Sequence, residues 1–585
     1  MTSSELRGQC PTGRQPLIHI LAAFCVWCGY VLVHQSLLFP ESDFNNKIQI
    51  LVWAIKSAIF GCLPASLFLT ALVPPFPSRK TRLIATAGII CGLTCYFGIL
   101  ISISLYFHYF GDLPHPGMLL ERWRETLSIR GQILSQLIGW KEITLAVLWG
   151  VGSMAIALAP GSRRSLSRVN VLWIVCILLA GNVSFHFYKW IHNDIRDNLR
   201  YGYTNVAQSR GIGMAYAVMT YGAIFRKHAD SPPVPYPGKI NRRVRGTGLI
   251  ELPNAANIII LQIESLDWSA IGRQVGNRPI TPFLNKLKTR SIIFPNFIAQ
   301  HSGGGTSDSE LSVLTSLLPS NEGAGFQTAR YDKIISLPQA LGTSGYTSAI
   351  FHPNIASYFH RDEAFNKLGF DYYFHESYFR GPARGLFAKD KPFLEQSFEK
   401  IKTLPRPFFA YLITLQSHGP FGNFTDKVFH DYLTASLPDT VNIVIDYLTV
   451  IHEVDAALEY FFDLLENQGL IADSLIVLFA DHVSAVLDQR TSYERIPLML
   501  FYSQATPRSI PSPGSHLDIA PTITNLIGLP EPGGWLGSAL LPPDPHRVVV
   551  LNNPMQIRWE DGRLMTRNSP EDLPFVLYSS YLMGR

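Results

Sequence analysis

The chain has 585 residues, too many for one compact domain. Its mean hydropathy of +0.14, 12% aromatic content and only 16% charged residues set it apart from an ordinary soluble protein. The net charge of +5 is spread without a basic run, which excludes a nucleic-acid-binding surface of the usual kind.

Five apolar segments, approximately 17–38, 49–73, 83–107, 142–160 and 169–187, are each long enough to cross a bilayer, which takes about 20 residues. The first is read as a retained span rather than a cleaved leader, because it is long, lacks a small-x-small cleavage site and is followed by further spans. Arg7 and Arg14 precede it; Arg79, Lys80 and Arg82 separate the second and third spans; Arg163, Arg164 and Arg168 separate the fourth and fifth. The first loop instead carries Glu41 and Asp43 against a single Lys47. The bias of short loops therefore predicts a cytoplasmic N-terminus in the plasma membrane and, after five crossings, an extracytoplasmic or periplasmic C-terminal part. Residues 1–188 are expected to form the transmembrane domain, 189–249 a juxtamembrane connector and linker, and 250–585 the exported domain. Within the connector, the Pro-rich stretch 231–239 reads as a semi-rigid spacer.

The seven cysteines, Cys10, Cys25, Cys28, Cys62, Cys91, Cys95 and Cys176, all belong to the apolar half. The exported domain therefore has neither a disulfide nor a thiolate metal site.

From residue 250 short β-branched runs alternate with helical stretches, which predicts a largely parallel α/β sheet. The clearest strands are 257–263, 346–351, 408–415 and 474–480. All are almost continuously apolar, as strands covered on both faces should be. Glu264 follows the first, His352 the second, His418 the third, and Asp481 and His482 the fourth. Ligands of open α/β sheets bind at the carboxyl ends of strands, so this convergence marks a site.

Between these lies "HSGGGTSDSELSVLTSLLP" (301–319), a glycine-rich stretch running into a helical pattern through Leu311, Leu314 and Leu318. Such a junction offers backbone N–H groups and positive dipole to a phosphate, and it presents the hydroxyl of Thr306. The competing reading makes Thr306 or Ser307 a helix cap, with Glu310 completing a capping box. Carboxylates, imidazoles and a hydroxyl without sulfur suit Mn²⁺, Mg²⁺ or Zn²⁺, and a bound divalent ion would make a poorly nucleophilic threonine hydroxyl more acidic.

The motifs "NIIILQIESLD", "GGGTSDSE", "FHPNIASYFHRDEAFNKLGFDYYF", "KDKPFLEQ", "YLITLQSHGPF", "LFADH" and "IPLMLF" occur in the order found in lipoteichoic acid synthases. The sequence resembles that family over about residues 250–530 and matches its five-span layout. The resemblance implies an alkaline phosphatase/sulfatase-superfamily fold and a phosphoglycerol transferase that uses phosphatidylglycerol as donor and a glycan or glycolipid as acceptor. It implies Thr306 as nucleophile and metal ligand. Glu264, Asp481 and His482 would be the other ligands of one Mn²⁺ or Mg²⁺. Arg361 and His418 would contact the head-group phosphate and glycerol, with His352 assisting and Phe359 in place of a tryptophan. Gly305 stands where relatives often carry lysine. His516, in "SHLDIAPTITNLIG" (515–528), is not assigned as a ligand. The alternatives are a phosphoethanolamine transferase acting on lipid A or a glycan, whose members usually carry disulfides in this domain, and a sulfatase-like phosphodiester hydrolase.

Overall fold

The computed structural model describes residues 234–241 and 250–583, except 251, 254, 302–304, 320–324, 386, 420, 489–492 and 553. The five apolar segments, their loops and most of the connector lie outside the described residues. Among the described residues no helix is long and apolar enough to cross a membrane. The chain divides into two units between Arg226 and Lys227, and the second carries everything that follows.

Eight strands form the central sheet: β1 (Asn257–Ile263), β2 (Ile292–Ile293), β3 (Thr347–Phe351), β4 (Tyr372–Phe374), β5 (Phe408–Ile413), β6 (Ser474–Ala480), β7 (Leu498–Phe501) and β8 (Arg508–Ser509). Their order is β8-β2-β7-β6-β1-β5-β3-β4. The β6-β1-β5-β3-β4 block is parallel throughout, while β7 runs antiparallel to both β6 and β2. The four long strands expected from the sequence are present, although β5 stops at Ile413 and β3 begins at Thr347. Asn257 to Ile263 is buried along its whole length, which accounts for a run that is apolar rather than alternating.

The helices used below are α1 (Pro282–Thr289), α2 (Thr306–Thr315), α3 (Arg361–Lys367), α4 (Asp390–Ile401), α5 (Asn442–Asn467) and α6 (Ile519–Leu526). Ile519, Ile523 and Leu526 of α6 share an apolar seam with Leu475, Val477 and Leu500. Phe501, next along β7 and so directed to the other face, meets Phe462 of α5 edge-on, with ring centroids 5.6 Å apart. Helices thus cover both faces of the sheet, and polar chemistry is left to its strand ends.

The described part of the Pro-rich stretch is bound to the domain rather than free of it. Tyr236 donates to the carbonyl of Trp535 (2.8 Å), and Lys239 reaches the carbonyl of Gly537 (2.8 Å) and the carboxylate of Glu531 (3.1 Å). Asn241 exchanges two hydrogen bonds with the backbone of Val548 (2.9 and 2.8 Å). The spacer read from proline content is here a docked strap, because its polar side chains find backbone partners that composition does not reveal.

Candidate active site

β1 and β6 are adjacent and in register, Ile263 beside Ala480, so the residues that follow them, Glu264 and Asp481, emerge side by side. The Glu264 backbone is fixed at both ends: its N–H donates to Thr414 Oγ1 (3.1 Å), and its carbonyl accepts from Ser417 Oγ (2.5 Å). Asp481 Oδ1 accepts the N–H groups of Ser265 (2.9 Å) and His482 (2.8 Å). Asp481 Oδ2 is buried, has no hydrogen-bond partner among the described residues and lies 3.4 Å from His482 Nε2.

His482 Nδ1 lies 3.1 Å from the carbonyl of Val483. A carbonyl only accepts, so Nδ1 carries the proton and Nε2 presents its lone pair. That nitrogen is 3.5 Å from Glu264 Oε1 and 3.5 Å from Thr306 Oγ1. Thr306 Oγ1 donates to Glu264 Oε2 at 3.1 Å. One donor atom each from Glu264, Asp481 and His482 falls within a 4.8 Å span.

The electrostatics of this cluster ask for a cation. Burial, and then the charge of Asp481, push the Glu264 carboxyl well above the ordinary range. Burial works to raise Asp481, but the Ser265 N–H that donates to it acts the other way, and the carboxyl stays below its usual value. An unsatisfied buried carboxylate oxygen beside a second carboxylate and an imidazole lone pair is a donor set that fits a divalent metal.

Thr306 opens α2, and its predecessor Gly305 is the N-cap, with no side-chain capping bond. The capping-box reading is therefore corrected: Thr306 is the first helical residue and its hydroxyl faces Glu264. Gly305 sits at φ +51°, ψ −120°, a conformation open to glycine and forbidden to a lysine side chain without strain. Glu310, expected as the box partner, lies one turn on and is fully buried. It accepts Arg361 Nη2 (2.6 Å) and Nε (3.0 Å).

Arg361 begins α3 and is buried; its Nη1 donates to the carbonyl of Tyr358 at 3.4 Å. Its guanidinium lies 5.3 Å from the ring of Phe359. Phe359 is buried at φ +58° and His360 follows at φ +57°. Two consecutive left-handed non-glycine residues, one of them aromatic, are strained, and such strain concentrates at binding sites.

His352 continues β3 and is buried, with Nδ1 3.3 Å from the carbonyl of Ile413. Burial, and then the charges of Arg361 and His418, hold its imidazole well below the usual range. Burial lowers His418 to about 4, with His482 contributing in the same direction. Both histidines are thus neutral at pH 7, and they share an electrostatic neighbourhood with Arg361 and His482. His516 is committed elsewhere: Nδ1 accepts from the N–H of Gln300 (3.0 Å) and Nε2 donates to the carbonyl of Ala480 (3.0 Å). It links two backbone segments and has no lone pair to give a metal.

Three supporting groups were not singled out as site residues in the sequence. Asp267 accepts from Ser484 N (2.6 Å) and Oγ (2.5 Å), Leu487 N (3.1 Å) and Asp488 N (3.2 Å), and so shapes the loop after His482. Asp390 Oδ1 takes the N–H groups of Leu415 and Gln416 (both 3.1 Å), at the turn that leads to His418. Glu494 takes Val483 N and His301 Nε2, both at 3.0 Å.

Residues 256–529, which hold this sheet and the carboxylate, imidazole and hydroxyl cluster at its strand ends, match the Sulfatase family model. Relatives of that domain include proteins named as lipoteichoic acid synthases or synthase-like. The lipoteichoic acid synthase-like protein YvgJ of Bacillus subtilis (strain 168) is 32% identical over 326 residues, 52% of this chain and 52% of its own length. Lipoteichoic acid synthase 2 of the same organism is 31% identical over 316 residues, 50% of this chain and 48% of its own. The chain spans about half the length of the curated relatives it matches. Among solved structures, the integral membrane protein lipooligosaccharide phosphoethanolamine transferase A (EptA) from Neisseria meningitidis shares the fold. It aligns with a TM-score of 0.53 and 13% identity over 88% of this chain and 96% of that one.

Proposed function

We propose that the chain is a membrane-anchored, metal-dependent transferase. It moves glycerol phosphate from phosphatidylglycerol to a glycan or glycolipid acceptor of the cell envelope and releases diacylglycerol. The observation that carries this reading is the placement of the Thr306 hydroxyl, 3.1 Å from Glu264 Oε2 and 3.5 Å from His482 Nε2, at the first turn of a helix. The names of the relatives point to the same chemistry.

Glu264, Asp481, His482 and Thr306 would hold one divalent cation, Mn²⁺ first, with Mg²⁺ and Zn²⁺ as the other choices. When bound, such an ion acidifies a hydroxyl and neutralises charge on a phosphoryl oxygen. The residues of the chain do the rest. Thr306 Oγ forms a bond to the head-group phosphorus, and the bond from phosphorus to the diacylglycerol oxygen breaks. The leaving oxygen keeps the electron pair and ends with the proton that Thr306 gave up. A glycerophospho-threonine remains until an acceptor hydroxyl attacks the same phosphorus; the bond from phosphorus to Thr306 Oγ breaks, that oxygen keeps the electron pair and takes up the proton the acceptor gives, a ping-pong sequence. His352 and His418, neutral through burial, hydrogen-bond the head group; Arg361 supplies positive potential, and the Phe359 ring packs beneath its guanidinium. Spans 17–38 to 169–187 would hold residues 250–585 against the outer face of the plasma membrane, where the lipid donor is.

The test uses purified full-length protein, Mn²⁺ and fluorescent phosphatidylglycerol. Diacylglycerol release that is lost in Thr306→Ala is expected. Release at the wild-type rate in that variant overturns the nucleophile, and release from phosphatidylethanolamine alone replaces the donor. Release of free glycerol phosphate with every acceptor offered replaces transfer by hydrolysis.

A further inference from the structure

The segment entering the nucleophile loop is held from several sides. Phe297 and Ile298 pair antiparallel with Ile496 and Arg495, and the N–H of Ala299 donates to the carbonyl of Glu494 (2.9 Å). Two residues on, the His301 ring lies beside the metal-ligating His482, with centroids 5.4 Å apart and planes 56° from each other. Glu494, 8% exposed, closes the arrangement: one oxygen, Oε2, receives both His301 Nε2 and the N–H of Val483 at 3.0 Å. Val483 is the residue whose carbonyl fixes the tautomer of His482.

We propose that His301 and Glu494 are a positioning pair for the metal centre, tying the chain that leads into Thr306 to the Asp481–Val483 segment so that nucleophile and ligands share one frame. The inference rests on the metal-dependent reading above. A backbone N–H and an imidazole held by one carboxylate oxygen leave each little freedom to move without the other. If Val483 drifts, the acceptor that orients His482 drifts with it. Outer partners that orient metal ligands in this way characteristically change metal affinity by about 10–100-fold when removed. Glu494 and His301 lie 193 residues apart, so only the fold makes them a unit.

The experiment measures Mn²⁺ affinity by titration calorimetry on full-length, metal-stripped protein in detergent. Wild type is compared with His301→Ala, Glu494→Ala, the double variant and His301→Gln, whose amide can still donate to Glu494. Each single alanine change is expected to weaken Mn²⁺ binding about 10–100-fold while the unfolding midpoint of the metal-free protein stays unchanged. The double variant should be no weaker than the worse single one, because both remove the same coupling. His301→Gln should recover most of the affinity. Affinities within about twofold of wild type, or penalties that multiply in the double variant, overturn the pair. If Glu494→Ala does not fold, the His301 variants decide alone. Wild-type protein that binds no Mn²⁺ overturns the metal reading itself, and this inference with it.

Discussion

Arg361 and Glu310 form a two-pronged ion pair, Nη2 to Oε1 at 2.6 Å and Nε to Oε2 at 3.0 Å, with both side chains buried. Glu310 lies four residues after Thr306 on α2, hence on the same helix face, one turn below the hydroxyl. The pair therefore fixes the face that carries the proposed nucleophile and joins it to α3. Burial raises the Glu310 carboxyl and Arg361 opposes that rise, so the pair depends on both partners.

Removing one partner leaves an uncompensated buried charge. Glu310→Ala is expected to lower stability by about 3–5 kcal/mol, read from chemical denaturation of the metal-free protein. Arg361→Lys keeps the charge but loses the planar fork, and should also destabilise, by less. A loss below about 1 kcal/mol for Glu310→Ala would mean that the pair is solvated in solution.

Glu264 and Asp481 repel each other inside the domain, and Glu264 is raised by that repulsion and by burial. Glu264→Gln is therefore expected to raise the melting temperature of the metal-free protein and to abolish its rise on adding Mn²⁺. Wild type at a hundredfold excess of Mn²⁺ over Kd should gain about 2.7 kcal/mol. A variant that still responds to Mn²⁺ as wild type does would remove Glu264 from the ligand set.

Asp390 is raised from its ordinary 3.8 to about 6, by burial against the opposing N–H groups of Leu415 and Gln416. Between those values the folded domain keeps a proton that the unfolded chain has lost. Its contribution to stability is therefore greatest below the lower value and falls as pH rises through the window, by about 3 kcal/mol in all. Asp267, raised to about 6, and Asp455, raised to about 7, add the same trend. Asp390→Asn should flatten the pH dependence of the denaturation midpoint between pH 4 and 6 relative to wild type. Superimposable slopes would contradict the burial of this carboxyl.

The strand ends were legible because a parallel strand buried on both faces leaves a continuous apolar run, and the first polar residue after it marks the rim of the sheet. Glu264, His352, His418, Asp481 and His482 all follow such runs, and one donor atom each from Glu264, Asp481 and His482 falls within 4.8 Å of the others. Thr306 needed the glycines before it. The supporting carboxylates were not legible, because their partners are mostly backbone N–H groups far along the chain: Asp267 serves 484–488, and Asp390 serves 415–416. Glu310 follows Ser307 at the spacing of a capping box, which is the competing reading, but its partner is Arg361, 51 residues away.

If Thr306 is the nucleophile, it carries the transferred group as a covalent adduct. The most direct measurement incubates the full-length protein with phosphatidylglycerol and Mn²⁺ without acceptor, quenches in acid and maps peptide masses. One glycerophosphoryl group on the peptide containing Thr306, absent from Thr306→Ala, is the result expected. Diacylglycerol release with no adduct, or with the adduct on another residue, would contradict the account.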